Sequence, residues 1–200
     1  DNVSINVKRG EVVGISGLMG AGRTELAMSI FGKSYGTNIS GQLIINGKEV
    51  NLKNVRDAIK NKLAYVTEDR KGNGLILSNP IKINTTMANL DAVSQNTIID
   101  TDKEYAVAVE YKEKLKTKCP TVEQFVGNLS GGNQQKVLLA KWMFADPDVL
   151  ILDEAFCSSV NLAQHEVIPQ LIGDYVRNAH GGNGCFMRGV IRNGVYDDLC

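Results

Sequence analysis

The run Gly17-Leu18-Met19-Gly20-Ala21-Gly22-Arg23-Thr24 constrains this chain more than any other, because of what flanks it. The apolar Val12-Val13-Gly14-Ile15 precedes it and an amphipathic segment, Glu25 to Phe31, follows, so the residues read as strand, glycine loop, helix. Glycines let a backbone curl until successive N–H groups point inward, and the following helix turns its positive end toward whatever sits there. Phosphate is the natural occupant, for which the expected pattern is G-x-x-x-x-G-K-[ST]. Gly17, Gly22 and Thr24 match it, and Arg23 stands where the lysine is expected. A guanidinium is a planar fork and does not place charge where a compact ammonium would. Binding is compatible with that exchange; hydrolysis is less so. A cation in the first helical turn also opposes the macrodipole, a conflict that an anion between Arg23 and the loop amides would remove. A glycine-rich turn without a ligand is the competing reading of this motif alone.

Charge narrows the partners. Twenty-two basic and 22 acidic residues cancel, so no global field argues for nucleic acid or an anionic membrane surface. No apolar run has the length of a membrane span and no signal segment opens the chain, which fits a soluble, intracellular protein. With 43% hydrophobic residues the chain can bury a core, as one domain with or without a subdomain. Cys119, Cys157, Cys185 and Cys200 are scattered without a C-x-x-C pair, which points to free thiols rather than zinc. Val3 to Val7 alternates like a strand already under way, so a piece of a longer protein is expected.

Further along, Leu43-Ile44-Ile45 meets Asn46-Gly47, a hairpin signal that sets an antiparallel flank beside the glycine loop. Val55 to Asn61 reads as helix and Leu63-Ala64-Tyr65-Val66 as a buried strand ending at Thr67-Glu68-Asp69-Arg70. Polar residues there face either a ligand crevice or solvent. Thr101-Asp102-Lys103-Glu104 is a capping box for a helix to about Lys116, with Glu110 and Lys114 paired on its wet face.

Two more stretches carry chemistry. Ser130 is a natural N-cap for a helix through Met143, yet Gly131 and Gly132 weaken its first turn. Close backbone approach by a ligand would explain them. Val149-Leu150-Ile151-Leu152 reads as a strand buried on both faces, ending in Asp153 and Glu154. One carboxylate can hold magnesium beside Thr24 while the other orients or deprotonates water.

In combination, Gly17 to Thr24, Leu129 to Lys136 and Val149 to Glu154 resemble the Walker A, signature and Walker B motifs of ABC-type ATPases. With Thr67-Glu68-Asp69-Arg70 and Val126-Gly127-Asn128, the chain from about Val3 to Glu154 is similar to the second, C-terminal nucleotide-binding domain of the tandem ATPase subunits of bacterial monosaccharide importers of the ribose, galactose and xylose group. The resemblance implies an α/β fold: a RecA-like core with an antiparallel β flank over 1–68, a helical subdomain over 69–128 that docks on a permease, and a return to the core over 129–154. It implies ATP and Mg2+ as cofactors. The loop Gly17, Leu18, Met19, Gly20, Ala21, Gly22, Arg23 and Thr24 would bind phosphate, and Thr24 and Asp153 the magnesium. Glu154 would be the general base, and Glu68 takes the place of a glutamine that links nucleotide to the helical subdomain. Ser130, Gly131, Gly132 and Gln134 would bind nucleotide held by an opposite domain, either the N-terminal ATPase domain of the same subunit or a second copy. Membrane permease subunits and, indirectly, a sugar-binding protein are the implied partners. The implied location is the cytoplasmic face of the inner membrane, with ATP hydrolysis expected in the complex and not in the isolated chain.

The resemblance ends after Glu154. Ala155-Phe156-Cys157-Ser158 replaces the expected continuation, no aspartate follows Asp153 before Asp174, Pro169 interrupts an expected helix, and His180 reads as a loop histidine. The tail 155–200 is either divergent or out of frame, with Val190 to Tyr196 reading as a terminal hairpin. A non-hydrolysing ATP-binding half or defunct fragment is the alternative function. A chromosome-maintenance ATPase would need a long coiled-coil insertion before the signature, and only one long helix stands there.

Overall fold

The structure is a computed structural model that describes residues 3–18, 20–153 and 185–189. Strand β1 (Val12–Ile15) runs into the glycine loop and then helix α1 (Arg23–Ile30). The hairpin β2 (Leu43–Ile45) and β3 (Lys48–Val50) forms in the register the Asn-Gly signal requires, with Asn46 and Gly47 both at positive φ. Helix α2 (Val55–Lys60), capped by the Asn54 side chain on the Asp57 amide, leads into β4 (Leu63–Val66). A single π-helical turn at Arg70–Gly74 separates β4 from α3 (Ile81–Thr86). Then come the short pair β5 (Ser94–Gln95) and β6 (Ile98–Ile99), α4 (Thr101–Lys114), α5 (Gly131–Phe144), β7 (Val149–Asp153) and β8 (Cys185–Gly189).

Strands β1, β8, β7 and β4 form one parallel sheet in that spatial order. Every residue of β4 and Leu150 to Asp153 of β7 are buried, as expected for parallel strands covered on both faces. Between the glycine-loop strand and the strand that ends in Asp153 lies β8, drawn from the tail. The tail supplies a central strand at Cys185–Gly189, while the hairpin expected at Val190 to Tyr196, together with Glu154 and His180, lies outside the described residues.

Helix α5 is the organising element of the core. It packs against α3 on one side and β4 on the other, and it is buried almost throughout. Trp142 on α5 meets the Phe31 ring edge-on at 5.5 Å, and Phe31 meets Tyr65 of β4 at 5.6 Å. Aromatic pairs of this geometry add about 0.5–1.5 kcal/mol each beyond the area they bury.

One helix start differs from the expected capping box. Asp100, not Thr101, caps α4, accepting from the Asp102 and Lys103 amides at 3.1 Å. Glu104 is thereby turned inward, where it accepts from the Thr86 hydroxyl at 3.0 Å. An aspartate one residue upstream outcompetes threonine because its carboxylate accepts two amides and complements the positive helix end. The Glu110–Lys114 ion pair forms as expected.

Candidate functional site

The glycine loop folds as its sequence requires. Gly20 and Gly22 both take positive φ, 79° and 80°, conformations that cost an L side chain strain, and Gly22 is the residue that caps α1. A β-carbon at either position would therefore reshape the curl. Met19 lies outside the described residues, and Leu18 is exposed at the loop crest.

Arg23 does something the sequence did not indicate. Its guanidinium folds back over the loop, donating through Nη1 to the Gly17 carbonyl and, at 3.1 Å, to the Leu18 carbonyl. The conflict between a cation and the α1 N-terminus is thus eased by the loop's own carbonyl oxygens, which stand in for the expected anion. Thr24 follows in the first turn of α1, half-buried.

Across the sheet, Asp153 ends β7 and is 4% exposed. It and Arg23 line one small cavity between α1 and the sheet. The Tyr65 hydroxyl donates to Asp153 Oδ2 at 2.7 Å. Burial, reinforced by the hydrogen bond to Asp153 and its charge, pushes the Tyr65 hydroxyl far above its usual range, so it stays protonated as a donor. The sequence places Tyr65 in a buried strand without naming a partner for its hydroxyl. The signal was there: a buried tyrosine hydroxyl needs a partner.

Glu68 is exposed two residues past the end of β4, and Asp69 caps the turn that follows by accepting from the Gly72 amide at 2.9 Å. Arg70 then reaches the first turn of α5, where its Nη1 donates to the Gly131 carbonyl. A β-carbon on Gly131 would stand 3.0 Å from that Nη1. A side chain at Gly131 would press on the Arg70 guanidinium, so close approach by Arg70 is one reason for a small residue here.

Ser130 is exposed and caps α5 through its backbone, its hydroxyl accepting from the Asn133 side-chain Nδ2 at 3.0 Å instead of from a backbone amide of the helix. The Gln134 side chain points inward, its amide donating to the Val126 and Leu129 carbonyls at 3.2 Å each. Gln134 thereby braces the turn that delivers Ser130. Lys136 and Lys141 are buried too, donating to the Lys116 carbonyl at 2.8 Å and the Gly74 carbonyl at 2.6 Å. Lys141 is buried deeply enough to push its ammonium down to about 8. These polar residues fasten α5 to the segments before it.

The residues present fit a magnesium nucleotide. Thr24 and Asp153 offer hard oxygen ligands, and a buried carboxylate favours a cation beside it. Among the described residues no three His, Cys, Asp or Glu side chains form a group that could hold a metal ion by themselves.

The profile of the ABC transporter family matches residues 1–157. The chain belongs to that family. Over 154 residues it is 54% identical to the L-arabinose transport ATP-binding protein AraG of Geobacillus stearothermophilus, covering 77% of this chain and 30% of that protein. It is 45% identical to a ribose import ATP-binding protein RbsA of Bacillus cereus over 154 residues, 77% of this chain and 31% of that one. The chain therefore spans less than a third of the length of these relatives. In fold it is similar to the dimeric ATP-binding cassette MJ0796 in a post-hydrolysis state bound to ADP and Pi, with a TM-score of 0.73 at 20% identity over 93% of this chain and 77% of that one. The ABC chain is thus an α/β P-loop cassette with an antiparallel β flank, and among its described residues no helix is long and apolar enough to cross a membrane.

Proposed function

We propose that this chain is the second ATP-binding domain of a tandem subunit that energises import of a monosaccharide through an ABC transporter, and that Ser130, Gly131 and Gly132 complete the nucleotide site of a partner domain. The observation that carries this is Ser130, exposed at the start of a helix whose amides its hydroxyl does not cap, while everything behind it is pinned by Gln134, Arg70 and Asn133. Rigid support under an exposed serine and free helix N–H groups suits an anion delivered from outside. The sugar class rests on the arabinose and ribose transport relatives.

In this reading the loop from Gly17 to Thr24 holds the nucleotide phosphates, Thr24 and Asp153 hold magnesium, and Glu154 is the general base, with Glu68 facing the nucleotide from the end of β4. Bound magnesium would neutralise the phosphate charge. Arg23 must release the Gly17 and Leu18 carbonyls to reach a phosphate, so binding here carries an exchange cost that a lysine would not impose. The core spans 1–68 and 129–154, and the segment 69–128 docks on the permease at the inner membrane's cytoplasmic face. Exposed Leu90, Ile98 and Ile99 support an apolar contact there.

A second reading, a non-hydrolysing ATP-binding half, is favoured by the same Arg23 contacts. Turnover of the assembled transporter carrying Arg23→Lys separates the readings of this site. Little change is expected if the partner site dominates; a large gain contradicts that division of labour. Loss of turnover in Glu154→Gln would sink the non-hydrolysing alternative.

A further inference from the structure

Strand register puts Tyr65 opposite Ile151 in the parallel ladder, and Ile151 shares a face of β7 with Asp153, two residues on. The Tyr65 ring therefore runs along that face toward the strand end and delivers its hydroxyl to Asp153 Oδ2 at 2.7 Å, an 88-residue separation in sequence. The ring has little room to move. Phe31, the residue that ends α1, leans on it at 5.6 Å and is itself held edge-on by Trp142 of α5. One aromatic row thus ties the helix that follows the glycine loop, the helix that starts at Ser130, and the carboxylate at the end of β7.

We propose that Tyr65 is the positioning residue for Asp153: its hydroxyl occupies Oδ2 and fixes the carboxylate so that Oδ1 is presented to the nucleotide's divalent cation. The inference rests on the reading of Asp153 as a magnesium ligand. A carboxylate free to rotate would offer either oxygen and lose order on binding; a carboxylate held by a buried donor is already aligned. Outer-shell partners of this kind change metal affinity by about 10–100-fold when removed.

The test uses the chain with ATP and Mn2+, reading free Mn2+ by electron paramagnetic resonance, alongside binding of a fluorescent ATP analogue in EDTA. Tyr65→Phe keeps the ring against Phe31 and removes only the hydroxyl; Tyr65→Met is a second hydroxyl-free variant should the first not fold. The expected result is Mn2+ affinity about tenfold weaker in Tyr65→Phe, with metal-free nucleotide binding unchanged and no further loss when Tyr65→Phe is added to Asp153→Asn. If Asp153→Asn weakens Mn2+ binding but Tyr65→Phe does not, the positioning role is overturned while the metal site stands. If Asp153→Asn itself leaves Mn2+ binding unchanged, the magnesium reading fails and the inference goes with it. Equal losses with and without metal would mark Tyr65 as a packing residue and would also overturn the proposal.

Discussion

Lys141→Met isolates the energetic consequence of burying a cation in helix α5. Lys141 is 5% exposed, donates to the Gly74 carbonyl at 2.6 Å and lies 4.6 Å from the Trp142 ring centroid. The carbonyl and the ring favour the charged form; burial opposes it and prevails, lowering the group from 10.5 to about 8. The folded state therefore binds the proton less tightly than the unfolded chain. The penalty is fully present below about pH 8 and fades as pH rises to about 10.5, so stability from this group increases with pH in that window. A difference of this size corresponds to about 3 kcal/mol at neutral pH. Between about pH 7 and about pH 9.5 the wild type should gain about 2 kcal/mol on Lys141→Met, since every other titrating group is common to both. Urea unfolding of both proteins across that range gives the number. Parallel pH profiles would refute the reasoning, because they would mean that the ammonium is solvated or fully compensated in the fold.

Two further perturbations test the packing beneath the site. Asn84 is fully buried, its Oδ1 accepting from the Ile76 amide at 2.8 Å and its Nδ2 donating to the Ile76 and Pro80 carbonyls at 2.9 and 3.1 Å. Asn84→Ala strands the Ile76 amide, while the Ile76 and Pro80 carbonyls keep the Asn79 and Asn84 amides, and chemical denaturation should register a loss of about 1–3 kcal/mol. Thr86→Val keeps the shape of its side chain but removes the donor that Glu104 uses in a buried position, with an expected cost of about 1–3 kcal/mol in the same assay.

The elements that the sequence declared were those written in short-range patterns. The glycine loop, the Asn46-Gly47 hairpin, the all-apolar β4 and the run ending in Asp153 each depend on neighbours a few positions away. The α4 cap was misplaced by one residue because Asp100 and Thr101 both qualify, and only the three-dimensional position of Glu104 against Thr86 decides between them. What holds the site together was not legible. Tyr65–Asp153, Arg70–Gly131 and Lys141–Gly74 join residues 88, 61 and 67 positions apart, and nothing local marks one end as the partner of the other. The position of β8 between β1 and β7 is hidden for the same reason, since parallel pairing across a long connection leaves no turn signal. Gln134 shows the same limit: its place in a signature segment suggests a nucleotide contact, and that its buried amide serves the Val126 and Leu129 carbonyls is visible only in the fold.

The central claim is that Ser130 acts on a nucleotide held by another domain. Its most direct test is ATP turnover by the assembled transporter carrying Ser130→Arg, with fluorescent-ATP binding to this domain's own loop measured in parallel. Turnover is expected to fall by at least about tenfold while loop binding is unchanged, because a long cation fills the space in front of the α5 N-terminus without touching Gly17 to Thr24. Turnover retained at the wild-type rate would contradict it.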